Sequence, residues 1–180
     1  MKFTKDMIKS CTKIVRCNSR TIKARMMSGF FEDSNYFYIW NYCSAVRLND
    51  FNFKEEVVQA VENTQIEYQN GKGTSSKSII NIFKMKDDAD LYSENHVVEI
   101  NIKSLYEEIV RTKKTEEYKK MGVQLLKGNQ FGVAYNKNYM LNIAKCLSSK
   151  QATVYFPNDR KKPIFIVGTF GIGVLLPCCY

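Results

Sequence analysis

Lys5, Lys9, Lys13 and Arg16 recur at steps of four, four and three, which sets four cations on one face of a helix. Like charges one turn apart repel unless an anion lies against them, so the chemistry on offer is the binding of a polyanion. The plainer use of such a row is a solvated face, although such faces usually mix signs. Gly71-Lys72-Gly73-Thr74-Ser75-Ser76-Lys77-Ser78 invites comparison with a phosphate-cradling loop. Only Lys77-Ser78 fits, Ser76 stands where a second glycine is required, and a strand is expected to follow in place of a helix. Gly168, Gly171 and Gly173 are better explained by tight turns between strands than by dinucleotide binding, since the chain ends seven residues later.

Nothing points to catalysis. His96 is the only histidine, which excludes any site needing two imidazoles. Cys11, Cys17, Cys43, Cys146, Cys178 and Cys179 form no C-x-x-C pair, so zinc is not expected and the thiols read as small buried side chains. Acidic neighbours occur at Glu55-Glu56, Asp87-Asp88, Glu107-Glu108 and Glu116-Glu117, but residues adjacent in sequence do not converge on one point. The expectation is a non-catalytic protein with no metal and no cofactor.

Elements must position the basic row. The chain has 180 residues, enough for one domain burying about 70% of its unfolded surface without a staple. Apolar residues make up 44% and charged residues 25%, an ordinary globular composition. No secretory leader is legible in MKFTKDMIKS, and the apolar run from Pro163 to Pro177 is too short for a spanning helix. The expected location is the cytoplasm, with no membrane partner.

The formal net charge is +9, unevenly placed. Residues 1–28 carry eight basic groups and one acid, 29–110 seven and fourteen, and 111–180 twelve and three. Two basic ends and an acidic middle suggest that both ends contribute to one surface facing a polyanion.

The periodicity predicts a helix over 4–17, with Met7, Ile8, Cys11, Ile14 and Val15 inward. Strands are predicted at Thr21–Met27, Tyr36–Trp40 and Ala45–Leu48, the first two separated by Gly29 and a polar turn at 32–35. With Met1–Thr4 as an opening strand the order is β-α-β-β-β. The middle reads as a helix over 53–69, a loop over 70–78, strands at Ile79–Met85 and Val97–Ile102, and a helix over 103–121. The tail reads as a strand at Gln130–Tyr135, a helix at Asn136–Ser149, and strands at Ala152–Phe156, Ile164–Val167 and Gly173–Leu176. This again is β-α-β-β-β. The fold class is α+β, divided into a first unit over 1–52, a divergent middle or insertion over 53–128, and a second unit over 129–180, together one domain.

Phe131-Gly-Val-Ala-Tyr-Asn136-Lys-Asn-Tyr139-Met140-Leu141, followed by Lys145-Cys-Leu147, Ala152–Phe156, Pro163–Ile166 and Gly173–Tyr180, resembles the closing part of bacterial sliding clamps, the DNA polymerase III β subunits. There a strand ends at Asn before a Tyr-Leu-Leu helix, and the chain closes in a hydrophobic strand and Met-Pro. Trp40–Leu48 is similar more weakly, matching that family's Ala-Thr-Asp-Gly-His-Arg-Leu only at Arg47 and Leu48. The resemblance covers about half the chain, and residues 53–128 match nothing in it.

The resemblance implies a DNA-clamp-like fold: two β-α-β-β-β units in a curved antiparallel sheet with helices on one face, plus an inserted helical or hairpin segment. It would turn Lys5, Lys9, Lys13, Arg16, Arg20 and Lys145 toward the phosphates of double-stranded DNA, without regard to sequence. It maps a peptide-binding groove for polymerases or clamp loaders onto Arg47, Leu48, Val174, Leu176 and Pro177, all five of which would otherwise be sheet core. Bacterial clamps carry three domains per chain and close as dimers, so a ring of this shorter chain would need about six copies, as a homo-oligomer, or a partner. The implied role is a replication accessory protein. The competing expectation is a protein-interaction module on the same fold that does not bind DNA.

Overall fold

Short runs of β-branched and aromatic residues, punctuated by polar turns, build most of the molecule. The computed structural model describes residues 5–15, 28–49, 54–62, 74–87, 92, 97–112, 125–127, 134–148, 150–159 and 161–177. The predicted strands at Met1–Thr4 and Thr21–Met27 lie outside the described residues, as do Arg16, Arg20, His96, Cys17, Cys178 and Cys179.

The elements are α1 (Lys5–Val15), β1 (Gly29–Glu32), β2 (Phe37–Trp40), β3 (Ser44–Leu48), α2 (Lys54–Glu62), α3 (Thr74–Lys84), β4 (Val97–Asn101), α4 (Ile102–Thr112), β5 (Leu125–Lys127), β6 (Ala134–Asn136), α5 (Lys137–Leu147), β7 (Gln151–Tyr155), β8 (Ile164–Gly168) and β9 (Gly171–Leu175). A 3-10 turn, Met85–Asp87, follows α3.

Among the described residues, seven strands form one antiparallel sheet in the order β1-β2-β3-β9-β8-β7-β4, while β5 and β6 pair separately. The meander β1-β2-β3 therefore meets the meander β7-β8-β9 at a central pair. There Ala45 faces Val174, Val46 faces Gly173 and Arg47 faces Ile172. Strand alternation puts Val46, Leu48 and Gly173 on one face and Ala45, Arg47 and Val174 on the other.

Helices α1 and α5 pack against each other, and both lie on the first face. Gly173 permits the close approach of α5: a Cβ there would meet Ile143 Cγ2 at 2.1 Å. Gly171 opens β9 with φ +154°, and a Cβ there would lie 2.0 Å from the Arg47 carbonyl oxygen, so only glycine fits. The helix ends are tied to the sheet in parallel ways. Asn41 Nδ2, beyond β2, donates to the Ile14 carbonyl at 2.8 Å, and the Phe170 N–H, beyond β8, donates to the Leu147 carbonyl at 2.9 Å. Each turn thus satisfies a carbonyl that the last turn of a helix leaves free.

The core between helices and sheet holds Met7, Cys11, Ile14, Phe37, Ile39, Val46, Leu48, Met140, Ile143 and Ile166, each at most 2% exposed. Two polar residues on the packed side of α1 close their hydroxyls onto their own helix. Ser10 Oγ donates to the Asp6 carbonyl and Thr12 Oγ1 to the Ile8 carbonyl, which removes the cost of burying them.

The middle segment departs from expectation. Residues 74–84 are helix, where a loop and then a strand were predicted. Ile79 and Phe83 are one turn apart and both buried, so the helical period prevails in a run whose apolar residues also satisfy alternation. Helix α3 lies on the second face, over Tyr38 and Arg47. Helices therefore occupy both faces of the sheet rather than one.

Candidate nucleic-acid interface

Helix α1 is short and strongly two-sided. Met7, Cys11, Ile14 and Val15 are buried, while Lys5, Lys9 and Lys13 are exposed. At 1.5 Å of rise per residue the three ammonium stems leave the helix about 6 Å apart, about 12 Å in all. That span matches several phosphates of a strand whose axial rise is about 3.4 Å per residue.

Helix α5 lies beside α1. Asn136 caps it, its side chain accepting from the backbone N–H groups of Asn138 and Tyr139 at 2.9 Å and 3.4 Å. Its two lysines are engaged by the next helix. Lys137 forms an ion pair with Glu108, and Lys145 Nζ lies 4.8 Å from the centroid of the Tyr106 ring on α4. Lys145, placed with the α1 lysines by the sequence, is therefore half-buried and turned toward α4. Helix α2, which carries Glu55 and Glu56, packs against α1, and α4, which carries Glu107 and Glu108, packs against α5. Lys5, Lys9 and Lys13 remain exposed.

Between α1 and α5 lie two thiols, Cys11 and Cys146, both fully buried. Burial, followed by a hydrogen bond to Cys11 and its nearby charge, pushes the Cys146 thiol well above its ordinary range. A thiol held neutral in this way is packing material rather than a nucleophile.

Of the five residues mapped to a peptide groove, Arg47 and Val174 share one face of neighbouring strands and Leu48 lies on the other. Leu48 is fully buried on the face packed by α1 and α5, so it cannot line an open groove there. Val174 is on the opposite face at 2% exposure. Leu176 and Pro177 lie beyond β9, with Leu176 at 36% exposure and its N–H bonded to the Cys43 carbonyl. Register explains the separation: neighbours in the sequence, as Arg47 and Leu48 are, fall on opposite faces of a strand.

Arg47 instead belongs to an aromatic cluster that the sequence reading missed. Its Cζ lies 4.3 Å from the centroid of Tyr36 and 5.4 Å from that of Phe83, and its Nε is buried with no hydrogen-bond partner among the described residues. Such an orphan donor costs about 1–3 kcal/mol. Beside it, Asp33 accepts from Asn35 N–H, Tyr36 N–H and Tyr38 O–H. Burial alone would raise the Asp33 pKa. The hydrogen bonds from Asn35, Tyr38 and Tyr36, together with the Arg47 charge, outweigh it and hold the carboxyl below 3.8. Tyr38 moves the other way, pushed well above its usual value of 10.0 by burial, the Asp33 hydrogen bond and the Asp33 charge. The Tyr36-x-Tyr38 spacing across from Arg47 was the available signal, but the contribution of Phe83 depends on α3 being a helix.

The phosphate-loop comparison fails on geometry: residues 74–78 form the first turns of α3, and Lys77 and Ser78 are exposed on that helix. Among the described residues, no helix is long and apolar enough to cross a membrane.

No protein-family model matches the sequence, and no curated protein matches it. Solved structures do match in fold. One is the DNA polymerase III β subunit of Thermotoga maritima, at 10% identity and a TM-score of 0.54. Another is a putative DNA polymerase III β subunit from Eubacterium rectale, at 13% identity and the same TM-score. In each case the match covers 97% of this chain and 63% of the other, so the chain spans less than two thirds of those proteins. At these identities the likeness is one of architecture: the chain has a sliding-clamp-like fold, with helices α1 and α5 side by side on a shared antiparallel sheet.

Proposed function

We propose that the protein is a clamp-like, non-catalytic accessory factor that holds duplex DNA by its backbone along α1. The observation that carries this reading is the exposed row Lys5, Lys9 and Lys13 on a helix paired with α5 on one face of a clamp-like sheet. Arg16 and Arg20 continue the basic run in sequence, and Lys145 adds charge from α5. In this reading, 1–52 and 129–180 are two copies of one unit and 53–128 is an insertion. Contacts would be to phosphates, blind to base sequence. Encircling a duplex would take several copies of the chain or a partner, and replication peptides would dock at the Leu176-Pro177 end, where Leu176 is exposed. The test compares two unrelated duplexes against the parent and the triple variant Lys5→Glu, Lys9→Glu, Lys13→Glu. Equal affinity for both duplexes, and its loss in the variant, are expected. A variant that binds as well as the parent would remove α1 from the interface.

A second reading rests on Lys137 and Lys145 being engaged by Glu108 and Tyr106. With those charges used internally, the fold would serve as a protein-interaction module without DNA. In that case the parent shows no affinity for either duplex at physiological salt, and Leu176→Asp abolishes recovery of a protein partner.

A further inference from the structure

Tyr106 is 49% exposed on α4, and Val110, one turn further on, is 41% exposed. The other side of that helix is buried through Ile102, Leu105 and Ile109, so the exposed pair is not what seats it. Single apolar side chains on a surface are ordinary. What sets Tyr106 apart is the neighbour it has on α5: Lys145 Nζ lies 4.8 Å from the ring centroid. The ammonium is drawn to the electron-rich face of the ring, which steadies the ring and places a positive charge beside it. The two acids of α4 are matched by other cations, since Glu107 lies 3.9 Å from Lys103 and Glu108 pairs with Lys137.

The ring has a defined place relative to the lysine row. Asn41 binds the Ile14 carbonyl at the end of α1, and the hydroxyl of the next residue, Tyr42, lies 3.3 Å from that of Tyr139 in the first turn of α5. The two helices therefore run antiparallel, and Lys145, in the last turn of α5, lies toward the Lys5 end of α1. Helix α1 meets β2, α5 meets β3, β9 and β8, and α4 meets β4 at the far end of the strand order. With packed helices about 8–10 Å apart, Tyr106 is about 16–20 Å from α1. A strand running off a duplex held on α1 covers that distance within a few nucleotides.

We propose that Tyr106, backed by Lys145, is a stacking site for an unpaired base, so that the ligand is a duplex continued by single-stranded DNA. The proposal rests on the DNA reading above and adds a second contact to it. Paired bases hide their faces in the stack, whereas unpaired bases offer them to an exposed aromatic ring. The cation beside the ring favours a polyanionic strand over an apolar peptide. Every base has such a face, so the site is indifferent to base sequence, as the phosphate contacts of α1 are.

The test measures the affinity of the full chain for three probes. These are a blunt duplex, the same duplex with a single-stranded tail of about ten nucleotides, and that tailed duplex with abasic sites in place of the tail's bases. The two tails carry the same phosphates and differ only in what can stack. The parent is expected to bind the tail with bases about tenfold more tightly than the abasic one. Tyr106→Leu keeps the apolar bulk and loses the ring, so it should bind both tails alike while its affinity for the blunt duplex stays within about twofold of the parent's. Tyr106→Trp should keep the preference. A parent indifferent to the tail's bases, or a preference that survives in Tyr106→Leu, would overturn the site and leave Tyr106 and Val110 to a protein occupant. A tail preference without blunt-duplex binding would support this site and count against the holding of duplex along α1. A parent that binds none of the three probes would overturn both.

Discussion

Asp33 and Tyr38 share one hydrogen bond and are shifted in opposite directions by it. The carboxyl is held below 3.8, so its contribution to stability is complete above that value and is lost as pH falls through the depressed pKa. The phenol is held above 10.0, so its contribution is complete below that value and is lost as pH rises beyond it. Tyr38→Phe should therefore flatten the loss of stability on the alkaline side of 10.0 and lessen the loss on the acid side of 3.8, read as urea midpoints in each range. Asn41 makes a second prediction. Its side chain donates to the Ile14 carbonyl and accepts from the N–H and hydroxyl of Ser44 and the N–H of Cys43. Asn41→Ala strands these groups in a buried turn and should cost about 1–3 kcal/mol, measured by chemical unfolding. At this scale the sequence is only partly legible. The inward stripe of α1 can be read from periodicity alone. The partners of Arg47 cannot, because Tyr36 and Phe83 are brought together across the sheet by α3.

At the scale of elements, close approach between helix and sheet determines what can change. Gly173→Ala drives a methyl group into Ile143 and should cost about 1–3 kcal/mol through overpacking. Gln59→Ala, at an exposed position of α2, replaces one good helix former with another and should leave the urea midpoint unmoved. Helix α5 and strands β2, β3, β7, β8 and β9 fall within a few residues of expectation, because each is a dense apolar run bounded by polar turns or by Asn136. The expected middle strand at Ile79–Met85 is where that reasoning failed. Ile79-Ile80-Asn81-Ile82-Phe83 fits both periods, and the choice between them depends on which surface the segment meets. The segment packs as a helix on the aromatic face of the sheet, with Ile79 and Phe83 buried one turn apart.

For the whole molecule, charge and architecture point to the same face. The basic opening of the sequence becomes the exposed row on α1, and part of the acidic middle becomes α2, packed against α1, and α4, packed against α5. Clamp-like topology could be anticipated from the repeated order of elements and the closing residues. The engagement of Lys137 and Lys145 by α4 could not, because it depends on where a helix from the unmatched middle packs. Duplex affinity measured against salt concentration tests the central claim most directly, since each phosphate neutralised adds about 0.9 to the slope of log affinity on log salt. The parent should show a steep negative slope, and the variant Lys5→Gln, Lys9→Gln, Lys13→Gln should lose about three phosphates' worth, a change of about 2.7. Identical slopes for the two proteins, or no duplex binding by the parent at low salt, would contradict the account.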